Sequence, residues 1–327
     1  MMRLLRVELI RLLARRAVLV LLTVAVIIPT VIGVARVLDT RPPSDQQMAE
    51  WERMAAADAE RPYVQREIGR CVEKPRRYGI DPQGDVQADC EESITPTWEW
   101  YGWYQEMTLR EERDSGGGLA IVVVIAMLML LVGTTFAGHD WASGSMSNQL
   151  LFEPRRLRVW AAKAIALTLV ALLTAAVVIT VYWLAMTAVV SSREGDTSSK
   201  VVLDCLQDGW RGAALAAGAA LAGYALAMLF RSTVASLGVV AGIAVAGGIV
   251  LATVGVGTVW DPALNALAFV QDGAKYWVEV PCPGGGGGGF CEEERVLPLA
   301  RGAMTLGAGL LVALVVSALS FQRRDVP

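Results

Sequence analysis

Residues 138–163 read GHDWASGSMSNQLLFEPRRLRVWAAK. The stretch opens on the acid Asp140 and passes the Gly144-Ser145 step and the Leu150-Leu151 pair. It then turns at Pro154 into Arg155, Arg156 and Arg158 and closes on Lys163. On either side lie apolar runs, roughly 119–138 and 164–190, and about 20 such residues suffice to cross a bilayer. A polar connection between two such runs belongs at a membrane face. Its order, acid first and cations last, suits a docking element that enters the next span through a basic turn.

Four more runs of spanning length lie outside this pair, at roughly 17–35, 212–230, 233–259 and 303–321, and none of the six contains Asp, Glu, Lys, Arg or His. With 54% hydrophobic residues and a mean hydropathy of +0.45, the chain of 327 residues is too apolar for a soluble domain. These runs predict an all-α membrane protein of six transmembrane helices. The first run is preceded by basic residues, as in a signal peptide. It is too long for a typical h-region, however, and no A-x-A step follows it, so an uncleaved first span is expected.

Charge sets the expected orientation. With the N-terminus inside, the inner segments hold 12 basic residues, including five from Arg3 to Arg16, against four acids: Glu8, Asp140, Glu153 and Asp325. The long loop 38–115 carries 18 acids and 10 bases on the other side. This asymmetry is what the positive-inside rule selects, though long loops translocate largely regardless of charge. Both termini are therefore expected in the cytoplasm. Cysteine agrees: Cys71, Cys90, Cys205, Cys282 and Cys291 all fall on the outer side, where disulfides persist. Proximity pairs Cys71 with Cys90 and Cys282 with Cys291, leaving Cys205 over. No CxxC spacing exists and the single histidine, His139, lies on the opposite face, which argues against a metal.

The expected segments are a cytoplasmic amphipathic helix 1–16, a first span 17–37, an extracellular disulfide-containing loop domain 38–116, spans two to five over 117–260, a re-entrant and Gly-rich outer loop 261–302, and a sixth span with its tail over 303–327. In the first segment Leu5, Leu9, Leu12 and Leu13 share one helical face, with Arg3, Glu8, Arg11 and Arg15 on the other. In the loop domain 48–60 reads as a helix. Trp98, Trp100, Tyr101, Trp103 and Tyr104 cluster just before the second span, as an interfacial belt or as a surface for an amphipathic substrate or partner. Ala214, Gly218 and Ala222 at four-residue steps, with Gly238 and Gly242, suit close helix packing within the chain or between subunits. In the last outer loop 263–270 is too short to span, and Gly284–Gly289 form a connector between two cysteines.

Several chemistries are missing. No G-x-x-x-x-G-K-[ST] occurs, so the chain lacks the usual loop for cradling ATP, and no G-x-S-x-G accompanies His139. No ionisable group stands in the span cores, where ion-coupled carriers keep one. Energy for vectorial movement would have to arrive through a partner.

The residues Asp140, Gly144, Ser145, Leu150, Leu151, Pro154, Arg155, Arg156 and Lys163 resemble the second cytoplasmic segment of permease subunits of type-2 ABC exporters, with Asp in place of the commoner Glu and Ser in place of the commoner Thr. The resemblance implies an elbow helix at the N-terminus and a coupling helix within 138–163. It implies two copies of a separate ATP-binding cassette subunit that binds ATP and magnesium, and a second permease copy or homologue. This chain then carries no cofactor and no catalytic residue and binds no nucleic acid. An amphipathic or lipidic cargo, consistent with the uncharged cores, crosses the cytoplasmic membrane. The competing reading is a non-transporting sensor or assembly scaffold that uses its outer loop for recognition.

Overall fold

The computed structural model describes residues 2–254, 258–282 and 290–324. In chain order the helices are α1 (Met2–Leu13), α2 (Arg16–Asp39), α3 (Asp45–Ala59), α4 (Pro62–Glu73), α5 (Val86–Ile94), α6 (Leu109–Asp114), α7 (Gly117–Ala142), α8 (Ser145–Phe152), α9 (Arg156–Ser192), α10 (Ser199–Phe230), α11 (Thr233–Val254) and α12 (Pro262–Val270). Strands β1 (Ala274–Pro281) and β2 (Phe290–Leu297) follow, and α13 (Leu299–Arg323) closes the chain. The chain divides into two compact units, residues 36–107 and the remainder.

The larger unit is a membrane bundle. Five segments, Arg16–Asp39, Leu109–Ala142, Arg156–Ser192, Ser199–Phe230 and Leu299–Arg323, are long and apolar enough to cross a bilayer. The remaining expected span falls on α11, whose stretch Thr233–Ile249 is apolar but shorter; residues 255–257 of that expectation lie outside the described residues. The centre of the bundle is the crossing of α7 with α10. A Cβ on Gly133 would stand 2.0 Å from the carbonyl oxygen of Ala220, and one on Gly223 would stand 2.4 Å from that of Leu130. Glycine at these positions lets the two backbones touch. The buried stripe of α10 here is Gly209, Ala213, Ala216, Ala220 and Gly223. That differs from the expected stripe of Ala214, Gly218 and Ala222, which lies about 170° around the helix, on the nearly opposite face. Gly238 and Gly242 of α11 meet no atom within 4 Å.

The segment 261–302 is more ordered than an irregular loop. After α12, β1 and β2 pair antiparallel from Ala274↔Leu297 to Pro281↔Phe290, the one strand pair among the described residues. Tyr276, Trp277, Val278 and Val280 supply the strand preference. The acidic run Glu292–Glu294 on the partner strand obscured it in the sequence. Ala268, Ala274 and Leu297 form a small core that seats the hairpin on α12. Cys282 and Cys291 are bonded, Cα–Cα 5.1 Å; Pro283 and Gly284–Gly289 lie outside the described residues.

The smaller unit packs α3, α4 and α5. Ser44 and Gln47 form a reciprocal capping box at the start of α3. Cys71 of α4 is bonded to Cys90 of α5, Cα–Cα 5.9 Å, and both are fully buried. In a unit this small such a bridge is worth about 3 kcal/mol in the chain-entropy model.

Candidate functional site

The segment 138–163 folds into the C-terminal end of α7, the short helix α8 and the first two turns of α9. Gly144 makes the corner between α7 and α8 with φ of +68°, in the left-handed region that glycine adopts without strain. A Cβ on Gly138 would stand 1.9 Å from Thr233 Oγ1, so its bareness lets the start of α11 pass.

At this end Lys163 is fully buried and donates to Glu8 Oε2 at 2.8 Å and to Asp140 Oδ2 at 2.6 Å. Arg11 donates to Glu8 Oε1 (3.2 Å), Gln149 Oε1 (2.8 Å), Asp140 Oδ1 (3.2 Å) and Ser145 Oγ (2.8 Å). Ser145 Oγ donates to Asp140 Oδ1 at 2.6 Å. Arg15 donates to Asp140 and to the Phe136 carbonyl, and Gln149 donates to Glu8. The Phe136 ring lies beneath both cations, 4.9 Å from the Arg15 guanidinium carbon and 5.2 Å from Lys163 Nζ. Every carboxylate oxygen of Glu8 and Asp140 therefore accepts at least one hydrogen bond, and three cations face two anions.

Each of these carboxylates is held by two or more donors on its two oxygens. The cluster is a clamp. It joins α1, α7, α8 and α9 around the fully buried side chains of Glu8, Asp140 and Lys163, with Arg11, Arg15, Ser145 and Gln149 half-buried at its edge. Removing one partner of a buried ion pair typically costs about 3–5 kcal/mol. Instead of reaching toward an interface, Lys163 is enclosed.

The clamp adds to the expected placement of α1, whose Leu12 is fully buried and whose Leu5 and Leu9 are half-buried. Glu8, Arg11 and Arg15, assigned to the polar face, also dock α1 onto the bundle, beside the buried Leu12. On the other side Met2, Val7, Ile10 and Leu13 are exposed, suited to the apolar edge of a membrane. The sequence had Glu8, Arg11 and Arg15 only as the polar face of α1, and Gln149 not at all, so none was placed in the site. Their signal was present: one acid at three- and seven-residue spacing from arginines, in a segment otherwise basic.

The other candidate residues take different places. The α8 tip carries Leu151 (81% exposed) and Phe152 (91% exposed), with Leu150 half-buried beside them. Pro154 and Arg155 are exposed. Arg156 turns away, to the carbonyls of Phe321 (3.4 Å) and Gln322 (3.3 Å) at the C-terminal end of α13. Asp140, Ser145 and Lys163 are brought together; Leu151, Phe152 and Arg155 stand outward from them.

In the smaller unit the aromatic residues are not one surface. Trp98 stacks on Trp51, centroids 6.3 Å apart, and Gly102 gives Trp51 the room it needs. Tyr101 donates to Asp58, and that hydrogen bond pushes its phenol up to about 12. Trp100 and Trp103 are exposed, and Trp103 and Tyr104 edge a cavity of about 510 Å³ with Trp51. Cys205 is buried and unbridged, its thiol 3.7 Å from the Leu109 carbonyl.

No protein-family model, curated protein or solved structure matches this chain.

Proposed function

We propose that the chain is the transmembrane permease subunit of an ATP-driven exporter of the type-2 ABC kind, with α8 as its coupling helix. The carrying observation is the contrast within one short segment: α8 is rooted in a buried ionic clamp, yet its tip presents Leu151 and Phe152 almost fully exposed. An exposed apolar pair on a rigid stem suits a partner's groove, and force on the stem passes through the clamp directly into α7, α9 and α1. In this reading both termini and α8 face the cytoplasm, and α11 is a span, giving six. Two separate ATPase chains hold the ATP and magnesium. A second copy or a homologue completes the path for an amphipathic or lipidic cargo. The charge asymmetry and the Cys282–Cys291 disulfide at the other end of the bundle support that orientation.

The test is co-purification of the ATPase chains with variants of the tip. Leu151→Asp with Phe152→Asp is expected to lose at least about 2 kcal/mol of association, roughly thirtyfold, as an interface hot spot does, while the permease inserts and melts normally. Arg155→Ala, at the rim, is expected to cost little. Undiminished retention of the ATPase by the double variant would overturn the assignment.

A further inference from the structure

The outward stripe of α10 lines a groove. Ala214, Gly218 and Ala222 form its floor, α13 from Ala303 to Ala313 forms one wall, and Ile243 of α11 marks the other; the volume is about 590 Å³. Gly307 and Gly309 of α13 meet no atom within 4 Å. Ile243 is 62% exposed, so the groove opens sideways, into the plane where lipid lies. Its size falls within the roughly 300–1,000 Å³ of small-ligand sites.

Length decides what fits. Eight residues of rise on α10 and ten on α13 make a trough of about 12–15 Å. That is half of the about 30 Å hydrocarbon core. A helix from a second copy would run the full height; an acyl chain of one leaflet runs half. The trough lies in the half nearer α12, where Trp260 and Pro262 close its end. Beside that end the exposed Arg301 holds its guanidinium 5.7 Å from the centre of the Trp260 indole and makes no ion pair among the described residues. An indole and an unpaired cation above an apolar slot form a headgroup site of the matching sign.

We propose that this groove holds one acyl chain of an anionic phospholipid from the leaflet on the α12 side, with the lipid phosphate at Arg301. The inference rests on the membrane placement of the bundle and is independent of the coupling role of α8. The test uses the purified full chain in nanodiscs, without ATPase, and a phosphatidylglycerol carrying a diazirine near the acyl terminus, compared with the same probe on phosphatidylcholine. Labelled peptides are expected to map to 214–222 and 303–313, with phosphatidylglycerol favoured about fivefold, as one cation near an anionic headgroup provides. Gly307→Phe, placed where a side chain meets nothing, is expected to reduce labelling of 214–222 severalfold. Arg301→Gln is expected to bring the two probes to equal yield while the chain still labels the groove. Equal yield in the wild type would overturn the proposal, as would labelling spread evenly over the exposed faces of α2, α9 and α11. So would a groove that labels only when a dimer is dissociated, because then a second copy is the occupant.

Discussion

Two charged clusters lie at opposite ends of α7, about 40 Å apart by helix rise, and they differ in how far water reaches them. At one end Lys163, Glu8 and Asp140 have fully buried side chains. At the other, Arg113 Nε meets Asp208 Oδ2 at 2.6 Å with side chains 24% and 6% exposed, and Arg211 bridges Asp208 (3.2 Å) and Asp272 (3.5 Å). Beyond them Arg110 and Asp196 stand 3.7 Å apart, both more than half exposed. Both are built of acids paired with cations; the solvent is not the same. Ion pairs in water are worth about 0–1 kcal/mol, whereas a buried charge deprived of its partner is costly. The enclosed cluster can therefore hold a helix in place, whereas the open one acts mainly through its single nearly buried member, Asp208.

The largest effect should come from breaking the enclosed cluster. Lys163→Met is expected to destabilise the bundle by about 3–5 kcal/mol and to release α1, read as faster proteolysis after Arg11 and Arg15 in detergent. The triple exchange Glu8→Leu, Asp140→Leu, Lys163→Met sharpens the point. It removes the buried charges together and leaves Arg11 and Arg15, 26% and 14% exposed, able to turn to water. Buried ion pairs replaced as a set by apolar residues are often neutral or better, so this variant should recover most of the loss. A triple variant as unstable as the single one would mean that the clamp supplies net stability that apolar packing at these positions cannot replace.

The intermediate effect lies at the open end. Arg113→Ala takes from Asp208, only 6% exposed, its shortest ion pair and leaves Arg211 in place; about 1–3 kcal/mol is expected, the cost of an under-satisfied buried acceptor. Arg110→Ala, three residues earlier and 73% exposed, should stay within about 0.5 kcal/mol. Thermal melts of the two variants side by side check the ratio. Equal losses would remove solvent exposure as the deciding variable.

The same contrast explains what the sequence disclosed. Apolar runs and the cysteine pairs were legible because burial in lipid and bridge formation act on local composition and spacing. The clamp was legible only in part. Asp140 and Lys163 stood out through their place in the polar connection, but Glu8 sits in another segment and its partner lies 155 residues away, beyond any periodicity. On α10 two small-residue stripes were equally visible, and only the close approach of Gly133 and Gly223 to facing carbonyls decides which one is closed. The hairpin was hidden because β2 is exposed along all but its last residue, so no alternation of apolar and polar residues marks it.

The smallest effect belongs to the exposed acid Asp196 and separates hydrogen bonding from ion pairing. Asp196, in the turn before α10, accepts the Ser198 N–H at 3.0 Å, and this bond, ahead of Arg110, holds its carboxyl below the usual carboxylate value. A depressed folded-state value means that the contribution is complete above the unfolded pKa of about 3.9 and is lost as the pH falls through the folded one. Melts of wild type and Asp196→Ala should therefore differ by a small constant amount at neutral pH and converge only in acid. About 1 M salt, which screens exposed charges beyond roughly 3 Å, should leave the neutral-pH difference in place, because the Ser198 hydrogen bond does not depend on Arg110. A difference that vanishes in salt at neutral pH would assign it to the Arg110 pair, and the open end would then owe its order to the same Coulomb attraction as the enclosed one.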